Sequence, residues 1–230
     1  MTRQRRPAEE IIAATAAELA PGPHDNRLLP LVEAGTAPLS ALAGLALEQR
    51  HIIASDRRAF AFLAERSGPG SACAAFFGTL AEGETLALGR LGAYERACGL
   101  TPEAVGQYLP RAGCQAYPAY VSWLALNGEP PSVALALTAN FAAWGGYCAR
   151  IGAALRTRYG FADEACGFFD FFAGPAPELE QRAVAAVAAG SDDAHGEGVG
   201  SGAHYGRLLQ TYESMFWNTL ADADADADAD

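Results

Sequence analysis

The sequence predicts an all-α fold: a single-domain helical bundle of about eight helices. Three observations predict it. Apolar residues recur at alternating steps of three and four over long stretches. No segment shows the period-two alternation of a half-buried strand. Glycine, asparagine and proline fall where such helices should begin and end.

The first element follows a basic start, Met1 to Arg6. Its sequence PAEEIIAATAAELA carries Glu9, Glu10 and Glu18, which spoil the apolar core of a signal peptide. Residues 1–20 therefore read as an N-terminal helical extension of a cytoplasmic protein. Residues 38–66 carry the stripe Leu42, Leu45, Gln49, Ile52, Asp56, Ala59, Leu63, with Pro38 fitting the first turn. Residues 69–98 repeat the pattern with Cys73, Phe77, Leu80, Glu84, Ala87, Leu91, Tyr94 and Cys98, and Gly99 ends it. Thr101-Pro102-Glu103 caps a short helix. Residues 114–127 form another, closed by Asn127-Gly128. Residues 130–159 form the clearest helix, with Leu137, Phe141, Trp144, Cys148, Ile151 and Leu155 on one face. Gly145, Gly146 and Gly152 interrupt it, each costing about 1 kcal/mol against alanine, which predicts close approach by a neighbouring helix or a ligand. An aromatic-rich helix (Phe168, Phe169, Phe171, Phe172) follows, then one from Pro177 to about Ala189, a glycine-rich polar loop, and a last helix over 203–220. Together these make one domain, residues 1–220, and the Ala-Asp repeat over 221–230 reads as a disordered acidic tail.

Composition narrows the function. Half of the 230 residues are hydrophobic and 19% are charged, as in globular chains. The formal charge of −11 makes nucleic acid a poor partner. No uncharged apolar run is long enough to span a membrane. The five cysteines form no CxxC pair and read as reduced, buried thiols. The histidines His24, His51, His195 and His204 show no ligand spacing, so no metal and no other cofactor is expected. GEGVGSG at 196–202 follows no strand and lacks the lysine of a phosphate loop, so it reads as a connection between helices.

What remains is polar residues on otherwise apolar faces. Asp56 and Glu84 need partners or an altered protonation state if they are buried. On different helices, such residues point to a central pocket.

The last helix reads Leu209-Gln-Thr-Tyr212-Glu213-Ser-Met-Phe216-Trp217, which resembles the closing YYExxFW-like segment of the thiaminase II (TenA) family. Other segments agree in order. His24 to Leu47 looks like the family's opening stretch, Ala116-Tyr117-Pro118-Ala119-Tyr120 through Gly128 like its AYxxY…G helix, and residues 133–155 like its long central helix. The resemblance implies the haem-oxygenase-like fold, shared with PQQ synthesis protein C, and a dimeric or tetrameric homo-oligomer. It also implies that Glu213 manages a proton on the ligand and that Tyr117 lines the pocket. Phe172 falls where the family has a second pocket tyrosine, and Gln49 where an aspartate binds the pyrimidine ring. Trp144 stands at the nucleophilic cysteine's position; the nearest thiol on that face, Cys148, lies one turn on, about 6 Å along the axis.

The resulting expectation is a central pocket for a small aromatic or heteroaromatic compound, walled by Tyr117, Phe141, Trp144, Tyr147, Phe172, Tyr212 and Phe216. Glu213 would be its acid or base, with Gln49 and Glu84 orienting the ligand. One alternative is a non-catalytic sensor or interaction protein whose pocket Trp144 fills. Another is thiaminase-like hydrolysis of an aminopyrimidine through Cys148. A di-iron site would need histidines that residues 69–99 do not supply. Arg50 and His51 are adjacent on one helix, so at most one of them faces the pocket.

Overall fold

The computed structural model describes residues 6–191 and 200–222, with only the backbone described at 191. His195, most of the 190–202 connection and residues 223–230 of the Ala-Asp repeat lie outside the described residues. Among those described there is no strand, and ten helices follow one another. They are α1 (Ala8–Glu18), α2 (Leu28–Ala34), α3 (Leu39–Arg66), α4 (Ala72–Ala97), α5 (Pro102–Gln107), α6 (Ala112–Asn127), α7 (Pro130–Tyr159), α8 (Asp163–Ala173), α9 (Pro177–Ser191) and α10 (Gly202–Asp222). None is long and apolar enough to cross a membrane.

Ends differ from the sequence reading where capping decides them. Pro38 is the N-cap of α3 and not part of its first turn. Ser71 caps α4 by accepting from the Ala74 amide, which moves its start to Ala72. Helix α2 is an element the periodicity did not predict. It has seven residues, too few to show a period, and it ends on Gly35 at φ 73°, where a side chain would be strained. Ala221 and Asp222 continue α10, past the expected end at 220.

Helix α3 packs chiefly on α4 and α6, α10 on α6 and α7, and α8 and α9 each against both α4 and α7. The apolar faces do not merge into one core. One cluster gathers Leu45 and Ile53 of α3, Leu91 and Tyr94 of α4, Ile151 and Leu155 of α7, Phe168 and Phe169 of α8, and Trp217 and Leu220 of α10. The other gathers Phe60 and Leu63 of α3, Phe76 and Phe77 of α4, Val121 and Leu124 of α6, Val133 and Leu137 of α7, and Leu209 of α10. Each long helix passes from one cluster to the other. The change comes between Ile53 and Ala59 on α3, Leu80 and Ala87 on α4, Cys114 and Val121 on α6, and Leu209 and Phe216 on α10. Tyr117 packs against both clusters.

A buried carboxylate ties α3 to the chain entering α6. Glu48 is fully buried and accepts from Tyr108 Oη (2.6 Å), the Arg111 amide (2.8 Å) and Gln115 Nε2 (2.9 Å). These bonds fix the start of α6, and with it Tyr117 one turn and a half further on. Glu48→Ala strands three donors inside the protein. Urea denaturation should show a loss of about 3 kcal/mol; an unchanged midpoint would mean that the network carries no weight.

Candidate functional site

Between the two apolar clusters, four helices each place one polar residue: Asp56 on α3, Glu84 on α4, Tyr117 on α6 and Glu213 on α10. Asp56 and Glu213 are only 4% and 7% exposed. Burial in low dielectric penalises the charged form. It pushes the Asp56 carboxyl up to about 8. Glu84 is held well above the usual carboxylate range, first by burial and then by the neighbouring charge of Asp56. Burial pushes Glu213 up to about 7, against the opposing effect of Trp217, whose Nε1–H donates to Glu213 Oε1 at 3.1 Å. The Tyr117 hydroxyl is raised by burial and by the charges of Asp56, Glu213 and Glu84. Among the described residues, no arginine or histidine acts on these four groups.

The layer is not internally satisfied. Asp56 Oδ1 is completely enclosed and has no hydrogen-bond partner. Gln49 lies two turns earlier on the same stripe of α3 and is 4% exposed. Glu84 and Tyr117 each keep part of their accessible surface.

Aromatic side chains flank Glu213. Trp144 stacks on Trp217 (centroids 5.7 Å, interplanar angle 30°) and meets Phe172 edge-on at 5.5 Å. Tyr147 meets Trp217 edge-on at 5.6 Å, and Phe216 does so at 4.9 Å. Gly145 permits this arrangement, since a Cβ there would sit 3.1 Å from the Phe172 carbonyl oxygen of α8. Gly146 faces open space and has no such role. Cys148 has no exposed surface, and burial followed by the charge of Glu213 pushes its thiol well up. Tyr147 is likewise raised to about 12 by burial, Glu213 and Asp25.

Several residues of the expected wall lie elsewhere. Tyr212 meets Tyr120 at 5.2 Å, and Tyr120 stacks on the half-exposed Trp123, so this tyrosine belongs to the outer seam of α6 and α10. The reason is angular: consecutive helical residues diverge by about 100°, and Glu213 takes the inward position. Phe141 meets Phe76 at 6.4 Å and packs with the second apolar cluster. Arg50 is held by Glu95 through two bonds of 2.7 Å, and His51 lies against Tyr108, which leaves neither in the polar layer. Two members are additions. Asp56, which the sequence marks as polar on an apolar stripe without giving it a role, joins the layer, and Trp217 is the hydrogen-bond partner of Glu213. The i, i+4 spacing of Glu213 and Trp217 on a core-facing stripe was the available signal for that pair.

A separate groove of about 530 Å³ runs along the outer face of α10, lined among others by Leu19, Asp25, Gln210, Ser214 and Asn218. None of the four polar-layer residues lines it, so it is not the site of this chemistry. Its link to the interior is Asp25, whose charge reaches Tyr147.

The raised carboxyls fix the sign of the pH dependence. Between the unfolded and the folded pKa, the native state holds a proton that the unfolded chain has lost. Stability therefore falls as pH rises, by about 1.4 kcal/mol per pH unit for each such group. For Asp56 that window runs from the ordinary side-chain value of 3.8 to about 8. Thermal denaturation of the protein should show a falling Tm across this range. Asp56→Asn should be more stable than the parent at the alkaline end and show a flatter profile. A parent whose Tm is constant over that window would contradict buried protonated carboxyls.

The architecture can be compared with known proteins. No family model matches the chain, and no curated protein matches it in sequence. Solved structures do match. A domain of unknown function with a haem-oxygenase-like fold from Shewanella denitrificans OS217 superposes with a TM-score of 0.72 at 12% identity, over 96% of this chain and 93% of that one. A TenA homologue from P. horikoshii OT3 gives 0.63 at 14% identity, over 93% and 95%. A TenA family transcription regulator from Silicibacter sp. TM1040 gives 0.56 at 16% identity, over 91% and 96%. At these identities the likeness speaks for the fold: this chain has the haem-oxygenase-like fold, in the helical form also taken by TenA homologues.

Proposed function

We propose that the interface between the two apolar clusters is a pocket for a small aromatic or heteroaromatic compound, with Glu213 as the group that gives or takes a proton. The observation that carries this is Glu213 itself. A carboxyl that is 7% exposed, with its pKa raised to about 7, is suited to proton transfer near neutral pH. One of its oxygens is oriented by Trp217, a fixed neighbour that keeps the carboxyl from turning. Trp144, Phe172 and Tyr147 beside it supply faces and edges on which a ring stacks. Glu84 and Tyr117 keep accessible surface although burial strongly desolvates their polar ends, which fits the walls of an internal gap. Gln49, buried on the same stripe of α3, carries an amide able to donate and accept.

Cys148 is a poor nucleophile in this setting. Attack requires a thiolate, and both burial and the adjacent Glu213 favour the thiol. Trp144 favours a second reading. Its ring lies between Trp217 and Phe172, beside the carboxyl, and there it fills space that a ligand would use. On this reading the protein binds without turning over, or binds only when Trp144 swings aside.

Native mass spectrometry of freshly purified protein, followed by titration with aminopyrimidines and other heteroaromatics, separates these readings. The proposal predicts a bound small molecule that Glu213→Gln retains but does not transform, with turnover lost by a factor of about 100 or more. Binding that appears only in Trp144→Ala would favour the filled pocket. Alkylation of Cys148 by substrate would overturn the metal-independent, cysteine-free scheme.

A further inference from the structure

The polar layer has two ends. At one, Glu213 sits among Trp217, Trp144, Tyr147 and Cys148. At the other, Asp56 and Glu84 act on each other, while Glu213 is not among the charges that reach either of them. Tyr117 packs against both apolar clusters, and the charges of all three carboxyls raise its hydroxyl.

The Asp56–Glu84 end brings two acids together with no basic counterpart. The elements packed around it contribute Gln49 and Asp56 from α3, Glu84 from α4, Tyr117 from α6 and, at the far end, Glu213 from α10 with Tyr147 and Cys148 from α7; none of these carries a positive charge. The nearest arginines of α3 and α4 are committed or turned outward: Arg50 binds Glu95, Arg90 lies over Phe171, and Arg57 and Arg58 are exposed. Among the described residues Asp56 Oδ1 stays enclosed and without a hydrogen-bond partner. A group able to satisfy this end must bring several N–H donors and compensate negative charge. When empty the pair is neutral, so the fitting group is one that lets an acid of the pair ionise, which a cation does and an anion does not. A metal ion fits poorly, because among the described residues no three His, Cys, Asp or Glu side chains are grouped to hold one.

Resting on the interior pocket of the preceding reading, we propose that the Asp56–Glu84 end is a recognition subsite for the protonated amine of an organic cation whose ring lies at the Glu213 end. A primary ammonium has three donors, which suits Asp56 and Glu84 with the Tyr117 hydroxyl as third acceptor. The empty pair is protonated at neutral pH, so docking an ammonium there expels a proton to the buffer. Affinity for the cation therefore rises with pH, by about tenfold per unit, while the pair in the empty protein remains protonated and the amine keeps its charge.

Calorimetric titration with three probes tests this: phenethylamine, its neutral counterpart 2-phenylethanol, and butylamine, which has the amine without the ring. Phenethylamine should bind at least about tenfold more tightly than 2-phenylethanol, release about one proton and gain affinity from pH 6 to pH 8. In Asp56→Asn, and separately in Glu84→Gln, that preference and the proton release should disappear while 2-phenylethanol binds as before. Circular dichroism on both variants checks that they are folded. Equal affinity for phenethylamine and 2-phenylethanol in the parent overturns the amine subsite and leaves the ring pocket standing. Butylamine binding that depends on Asp56, without any binding of 2-phenylethanol, keeps the subsite and removes the ring pocket. Absence of binding by all three overturns both.

Discussion

The constraint on which this structure turns is the enclosure of three carboxyl groups without a counter-cation. Asp56, Glu84 and Glu213 come from three different helices and meet where two apolar clusters abut. Taking a carboxylate out of water is expensive, and the protein meets that cost by protonation and not by ion pairing. Arginine is plentiful in the chain, yet it is used at the periphery. Arg150 pairs with Glu33, Arg156 with Asp163 and Asp170, and Arg50 with Glu95. Asp56, Glu84 and Glu213 have no such cationic partner among the described residues. Such an arrangement destabilises the empty fold at neutral and alkaline pH, which is the pattern of a functional site more than of a core designed for stability.

The bundle makes this layer by changing neighbours along each helix. A continuous apolar stripe would give a single core. Here every long helix carries one polar residue, or one pair of bulky rings, at the level where its neighbours change. On α3 it is Asp56, on α4 Glu84, on α6 Tyr117, on α10 Glu213, and on α7 the step between Phe141 and Trp144. Packing on both sides holds these groups at fixed depth, as a site with preorganised groups requires. The Glu48 network does the same for α6 from outside the layer, by fixing where that helix starts.

Much of this was legible in the sequence. The periodicity of residues 38–66, 69–98 and 130–159 is that of α3, α4 and α7, and the last of these matches to the residue. Gln49, Asp56 and Glu84 stand out as polar members of apolar stripes, because a stripe states which way a residue faces. What a stripe does not state is which residues of different helices lie at one level. That depends on helix offsets, and offsets are set by contacts such as Gly145 against the Phe172 carbonyl. Tyr212 was misplaced for the same reason: the motif makes it adjacent to Glu213 in sequence, and the helix turns it to the outer seam beside Tyr120. Helix α2 was missed because seven residues hold no periodicity to read. Buried Glu48 does not stand out in the sequence because two of its three donors, Tyr108 and Arg111, come from the irregular segment between α5 and α6.

Protonation of the interior acids is the claim that infrared spectroscopy addresses most directly. A protonated carboxyl has a C=O stretch well separated from the bands of carboxylate and amide. At neutral pH the folded, ligand-free protein should show such absorption, assigned by its loss in Asp56→Asn and in Glu213→Gln, and it should fade as the pH is raised through the alkaline range. A spectrum that holds only ionised carboxylates at neutral pH would contradict the account, since the acids would then be solvated or paired and the layer between the two clusters would not be a site of proton chemistry.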